Sequence, residues 1–430
     1  MSSERTTTIT ESIFSTLQLS PVQASELRRI GRDFANQTNE FEDADESSLE
    51  DEIVGEKTVI DCIRIDSSAT SDGLQEYRIR VRNRVGSIRI DGLTLLIQPK
   101  IPFDHFAYIT KNAIGNPACL NRSVDLSTHQ TFQELIARWF LNSVEELVPD
   151  RLLRDYYQHQ GYLSSVRGAI DPLLTSQKFM TGQLQVFCRF EEFEIDIPAN
   201  RIIREALRRI SQLSYLPKEI RSNARAKFHS IDPISEYSTS DLKVIADRRM
   251  LMEGYEPALT LAKDLLSNQG RSIEDGKKHS NIFLQYTPII IENGLRSILQ
   301  YDLRGKVNVG KHGINVEPLK PAQPDLVFEF DGCRNVGDIK YKNVSGWEEI
   351  RGDLYQSVFF AAAAKSFRSV VAAFDNTGEC NLPNVSVGNH SVSGVLWNSQ
   401  PGSDPDQSRK EFVKQMNSWL NIRNEFKQTA

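Results

Sequence analysis

Between residues 53 and 101 apolar positions favour every second residue: TVIDCIRI and YRIRVRNRV alternate, and GSIRIDGLTLLIQPKI carries apolar runs on both sides of Asp91-Gly92. A period of two is that of a strand with one buried face. Asp-Gly between two such runs predicts a hairpin, which Pro99 closes. From about Leu126 the period changes. TFQELIARWFLNSVEELV carries Phe132, Leu135, Ile136, Phe140 and Val144 at helical spacing. Further helices are expected in ANRIIREALRRISQL, in DLKVIADRRMLMEG from near Ser240, and from Pro257 to Leu266.

A third pattern begins near Gly276. IFLQYTPIIIENGLRSILQYDL predicts a helix with Thr287 as N-cap and Pro288 at the first helical position, where a missing N–H costs nothing. After it come a strand at 324–331, a turn at Asp331-Gly332, a strand at 336–342, a helix at about 347–366 and the strand SVVAAFD. A short strand, GVLW, and a terminal helix with Phe412, Met416, Trp419 and Leu420 on one face complete the chain. The fold class expected is α/β (α+β overall), ending in a mixed sheet between helices. The expected divisions are a variable, partly disordered acidic segment at 1–52, a β-rich module at 53–125, a helical linking region at 126–275 and a catalytic domain at 276–430.

Composition narrows the setting. A chain of 430 residues with 39% hydrophobic content can bury a sizeable core. No apolar run is long enough to span a bilayer, and MSSERTTTITESIF lacks the basic-then-apolar order of a secretory signal, so a cytoplasmic protein without membrane contact is expected. The five cysteines, Cys62, Cys119, Cys188, Cys333 and Cys380, are scattered, with no CxxC pair, which argues against structural zinc or a disulfide framework. The net charge of -6 owes much to one run, NEFEDADESSLEDE, around residues 39–52; without it the body is near neutral. Such a run stays solvated as a rule, and mimicry of DNA or docking of a partner is the alternative.

In VGDIKYK, strand alternation puts Asp338 and Lys340 on one face and Ile339 and Tyr341 on the other. Charges on a strand flanked by helices are costly unless paired or metal-bound. The preceding strand opens with Asp325 and returns through a tight turn, which brings a second carboxylate toward Asp338. Magnesium takes oxygen ligands, often one or two carboxylates plus substrate phosphate oxygens. Asp325 and Asp338 suit that set, with the Ile339 carbonyl as a further ligand, and Lys340 is placed to orient a water or stabilise developing charge. A bare acid-x-lysine pair can equally be a salt bridge on an edge strand, worth little. The Pro-Asp opening, the turn and the flanking helices favour the site.

These residues resemble the PD-(D/E)xK nuclease superfamily, and more narrowly the McrC family, the nuclease subunit of McrBC-type modification-dependent restriction systems. IQPKIP at 97–102, GYLSSVRGAI at 161–170, FCRFEEFEIDIPANRII at 187–203, FLQYTPIIIENGL at 283–295, PDLVFEFDG at 324–332, DIKYK at 338–342 and DLYQ at 353–356 follow the order expected of that family. The resemblance implies that Asp325, Asp338 and Lys340 are catalytic, with Mg2+ or Mn2+ as cofactor. It makes Glu292, on the helix before the sheet, a further metal ligand, directly or through water. A plain i,i+4 ion pair of Glu292 with Arg296 is the alternative. Gln356 matches a glutamine on the following helix that contacts substrate or the metal's water. Phe360 stands where the family more often has tyrosine.

The resemblance also implies partners: modified, methylcytosine-containing DNA, an McrB-like AAA+ GTPase hexamer that the chain stimulates, and a second copy for cutting both strands. The N-terminal half would engage the ring, with Lys100 and Arg167-Gly168 as candidate contacts, though a satisfied charge and a turn explain them more simply. Arg78, Arg80, Arg82 and Arg84 alternate along one predicted strand, and Arg201, Arg204 and Arg208 line a helix opposite Ile203, Leu207 and Ile210. Each stripe is by default a solvated face, and the first is also a candidate surface for phosphate or an acidic partner. No GxxxxGK loop followed by Ser or Thr is present, GKVNVGK at 305–311 being followed by His312, so GTP belongs to the partner. The reading is a divalent-metal DNA endonuclease of a GTP-dependent, type IV restriction system; the alternative is a non-catalytic adaptor that regulates a AAA+ ring.

Overall fold

A computed structural model describes residues 5–38, 62–68, 75–114, 131–145, 147, 152–213, 215–231, 234–246, 255–267, 281–330 and 332–421. The acidic run at 39–52, Cys119 and Asp331 lie outside the described residues. The chain forms two compact units, one of residues 1–117, 126–133 and 268–430, the other of 118–125 and 134–267. It is a mixed α/β protein with several sheets, as the periodicities imply. No described helix is long and apolar enough to cross a membrane.

In the first unit the predicted hairpin forms from Arg84–Ile90 and Leu93–Gln98, with Asp91 and Gly92 at φ 37° and 76°. Arg5–Thr10 pairs parallel with Leu93–Gln98, and Asn281–Tyr286 pairs antiparallel with Arg84–Ile90. A second sheet joins Ser15–Gln18, Glu76–Val81 and Ile63–Ser68. Ile9, Leu27, Ile30, Ile63, Ile79, Ile88, Leu95 and Leu284 bury their side chains in one core between these sheets and the helix Pro21–Thr38. Residues 5–38, grouped in the sequence with the acidic run, thus contribute two strands and a helix. YRIRVRNRV is two strands, not one: Asn83, at φ 46°, bends the chain after Val81. Arg84 therefore leaves the arginine stripe. It is buried, donates to the Phe34 carbonyl at 3.2 Å and lies over the Tyr286 ring.

The site rests on the six-stranded sheet of this unit, in the order Asn308–Gly310, Leu326–Phe330, Cys333–Asn343, Arg368–Asp375, His390–Asn398, Val385–Val387. Cys333–Asn343 runs antiparallel to Leu326–Phe330 and parallel to Arg368–Asp375, so it is central. Helix Arg351–Ala363 covers one face, where Leu354 packs with Val371, Ala373 and Val392. On the other face Trp397 packs against Phe412 and Phe328 against Trp419, both from the terminal helix Pro405–Asn421. Helix Thr287–Asp302 starts one residue earlier than expected, with Tyr286 as N-cap and no side-chain cap. The reason is that the Thr287 hydroxyl donates instead to Glu11, at 2.7 Å. A Cβ at Gly294 would lie 2.4 Å from the Ile109 carbonyl oxygen, so only glycine lets this helix sit so close to helix Phe103–Ala113.

The second unit contains the expected helices. Phe132–Glu145, Pro198–Gln212, Thr239–Ala246 and Glu256–Ser267 form, and Ile202, Ile203, Ala206, Leu207 and Ile210 are buried. Arg201 pairs with Asp196 and Asp241, and Arg208 with Glu205, so those two arginines of the stripe are neutralised locally, while Arg204 lies over the Phe228 ring. The region is not purely helical, however. Asp155–Leu163 and Val186–Glu194 form a long antiparallel hairpin joined by the short strand Ala169–Ile170 and helix Pro172–Met180, capped by the Asp171 carboxylate. Tyr156, Val166, Leu173, Met180, Leu184 and Phe193 are all exposed there.

Candidate metal centre on the central strand

Alternation along Cys333–Asn343 sends Asp338 and Lys340 to the face covered by helix Arg351–Ala363, and both are almost fully buried, at 3% and 6% exposure. Lys340 Nζ lies 3.0 Å from Asp338 Oδ2, donates to Gln356 Oε1 at 2.8 Å and lies 3.4 Å from Asp353 Oδ1. Asp353 also accepts from Lys342 at 3.1 Å. Asp325, immediately before Leu326–Phe330, is buried and fixed by the Ile339 amide, which donates to Oδ2 at 3.0 Å. The ladder with Arg368–Asp375 shifts between Ile339 and Asn343, which breaks regular pairing beside the Ile339 carbonyl.

Glu292 approaches from helix Thr287–Asp302. Its ion pair is with Lys311, at 3.0 Å, rather than with Arg296. Arg296 instead donates to the Asp325 carbonyl at 2.9 Å and to Asn293, locking the helix to the start of the strand. Lys311 Nζ is also 3.4 Å from Asp325 Oδ1. All five residues predicted from the sequence, Glu292, Asp325, Asp338, Lys340 and Gln356, are therefore linked through direct contacts or a shared lysine.

The electrostatics are those of crowded carboxylates. Burial, reinforced by the charge of Asp325 and opposed by Lys311, pushes Glu292 up to about 7. Burial also holds Asp338 well above the usual carboxylate range; Lys340 opposes the shift and Asp325 adds to it. Asp338 Oδ2 is buried and has no partner in good hydrogen-bond geometry, although the Lys340 ammonium lies 3.0 Å away. Asp325 neighbours Glu292 on one side and Asp338, with its unsatisfied oxygen, on the other, and the pair Asp325 and Asp338 leaves a place for a hard cation. An all-oxygen donor set of this kind fits Mg2+ or Mn2+.

Sequence reasoning missed Lys311 and the ionic role of Asp353. It also missed a buried knot behind the strand. Glu11, fully buried, accepts from the Thr287 hydroxyl and from the Lys100 amide at 3.3 Å, and interacts with Tyr341. Lys100 Nζ lies 4.2 Å from the centre of the Tyr341 ring, and its carbonyl accepts from Asn343 at 2.9 Å. Lys100 thus points at the back of the Asp338–Lys340 strand. The Arg167 guanidinium is held by Glu192 at 2.5 Å and lies over Phe190.

A family model described as McrBC 5-methylcytosine restriction system component matches residues 79–368. Among solved structures, one chain from an assembly of Thermococcus gammatolerans McrB AAA+ hexamers with bound McrC is similar at 17% identity. Its TM-score is 0.60, over 96% of this chain and 100% of that one. A chain from the cryo-EM structure of the McrBC complex of the same organism is also 17% identical, with a TM-score of 0.46, over 70% of this chain and 88% of that one. No curated protein matches.

Proposed function

Because the chain belongs to the family of McrBC 5-methylcytosine restriction system components, we propose that it is the nuclease subunit of such a system. It hydrolyses phosphodiester bonds of modified, methylcytosine-containing DNA and works with, and stimulates, an McrB-like AAA+ GTPase hexamer in the cytoplasm. The similar Thermococcus gammatolerans structure is of McrB hexamers with bound McrC. The observation that carries the nuclease reading is the unsatisfied Asp338 oxygen beside Asp325 and Lys340. In an adaptor, burying these charges would cost stability and serve nothing.

Asp325, Asp338 and the Ile339 carbonyl would hold Mg2+ or Mn2+, with Glu292 direct or through water. The ion supplies charge neutralisation at the phosphate and a water of lowered pKa. The Ile339 amide keeps Asp325 in one orientation. Gln356 and Asp353 hold the Lys340 ammonium against the acids, where it can orient the attacking water and stabilise the charge that develops on the phosphoryl oxygens. Residues 276–430 are then the nuclease domain, and 53–125 and 126–275 the parts that engage the partner. The apolar tip of the hairpin is the surface we assign to the ring. Cutting both strands takes a second copy.

The test combines the chain with its GTPase partner, magnesium, GTP and methylated DNA. Cleavage is expected, and Asp338→Ala abolishes it while GTPase stimulation survives. Normal cutting by Asp338→Ala would place the chemistry elsewhere. Wild-type protein that stimulates GTP hydrolysis yet cuts no DNA would make the chain an adaptor.

A further inference from the structure

Two lysines meet the acid cluster in different ways. Lys340 comes from within the sheet, with a side chain 8% exposed, and is anchored by Gln356 and Asp353 as well as by Asp338. Lys311 reaches in from the surface, with a side chain 40% exposed, from the segment after strand Asn308–Gly310. Its ion-pair partners among the described residues are Glu292 and Asp325, whose side chains are 17% and 12% exposed. Both are the carboxylates assigned to the metal.

We propose that Lys311 is a built-in counter-ion that occupies the cation position between Glu292 and Asp325 and must swing out when a divalent metal binds. The inference rests on the metal-site reading above. Its ammonium lies 3.0 Å and 3.4 Å from one oxygen of each acid. A metal taking those same oxygens at about 2.0–2.6 Å leaves no room for it. The two cations are therefore mutually exclusive, and the long, half-exposed lysine stem gives the ammonium a path to solvent. Lys340, held by groups outside this pair, has no need to move. Before metal arrives, Lys311 offsets part of the charge of the two acids; afterwards the metal does. The cost is a lower affinity for metal than the acids alone would give.

Calcium, which binds oxygen sites without requiring turnover, is the probe. Calorimetric titration of the full chain should show Lys311→Met binding calcium roughly 3- to 10-fold more tightly than wild type. In wild-type protein, acylation followed by mass spectrometry should show Lys311 modified faster at saturating calcium than without it, while Lys340 stays protected. Unchanged or slower modification of Lys311 at saturating calcium, or binding to Lys311→Met no tighter than wild type, overturns the proposal and leaves the metal site standing. Absence of calcium binding in wild type and Lys311→Met alike removes the metal site itself, and this inference with it.

Discussion

The acid cluster of the first unit buries charge, with Asp338 and Lys340 side chains 5% and 8% exposed. The hairpin of the second unit exposes apolar groups, Met180 at 87% and Leu184 at 86%. Each region departs from ordinary partitioning, in opposite directions. A buried charge is stable only with partners, and an exposed apolar patch marks a surface that something covers. Elsewhere both units are conventional, with aliphatic cores and locally paired arginines. On the proposed function the two departures divide the work, with chemistry on a phosphate in one region and contact with a protein in the other.

That division is broken or sharpened by substitutions that should affect one region alone. The largest effect is expected at Lys340. Lys340→Met removes the ammonium proposed to face the reacting phosphate and should lower DNA cleavage at least ~10²-fold, measured in the assembled system, with GTPase stimulation unchanged. Loss of both activities together would mean that the site and the partner contact are not separable. Next comes the hairpin. Replacing Leu173, Met180 and Leu184 together by serine should weaken engagement of the GTPase by roughly tenfold, read from a titration of GTPase stimulation. Because these side chains are exposed, the urea midpoint should not move. A fall in midpoint would show that they pack within their own unit.

The smallest effect is expected at Tyr255, a control inside the second unit. Burial pushes its phenol up to about 12, so it remains a donor, to Asn200 Oδ1 at 2.8 Å, while accepting from the Leu153 amide. Tyr255→Phe should cost about 1 kcal/mol in urea denaturation and leave cleavage unchanged when the protein is folded. A change in cleavage larger than the loss of folded protein would tie that interior to the chemistry.

Much of the site could be read from the sequence because its geometry is local. Asp338 and Lys340 share a face by strand alternation, a short turn returns Asp325 to them, and one helical face carries Asp353, Gln356 and Phe360. Lys311 was not legible, since it lies in an irregular stretch between two three-residue strands where no periodicity fixes its direction. The bend at Asn83 was hidden because a non-glycine residue takes a positive φ inside an alternating run. The long hairpin was missed for a further reason. In DYYQHQGYL and FCRFEEFE aromatic residues fall on both faces of the strands, and most positions on both faces are at least partly exposed, so the usual contrast between core and solvent sides is absent. The cap expected at Thr287 failed through a tertiary demand, the hydroxyl being needed by Glu11.

That Glu11 contact bears on the timing of synthesis. The bond from the Thr287 hydroxyl spans 276 residues, and the same carboxylate meets Tyr341 on the reverse of the Asp338–Lys340 strand. A ribosome adding about 5–20 residues per second needs on the order of tens of seconds to join those ends. Through that interval Glu11 exists without the strand it braces. The brace closes only after residues 287 and 341 have emerged, so full support of the strand that carries Asp338 and Lys340 comes long after Glu11 is made.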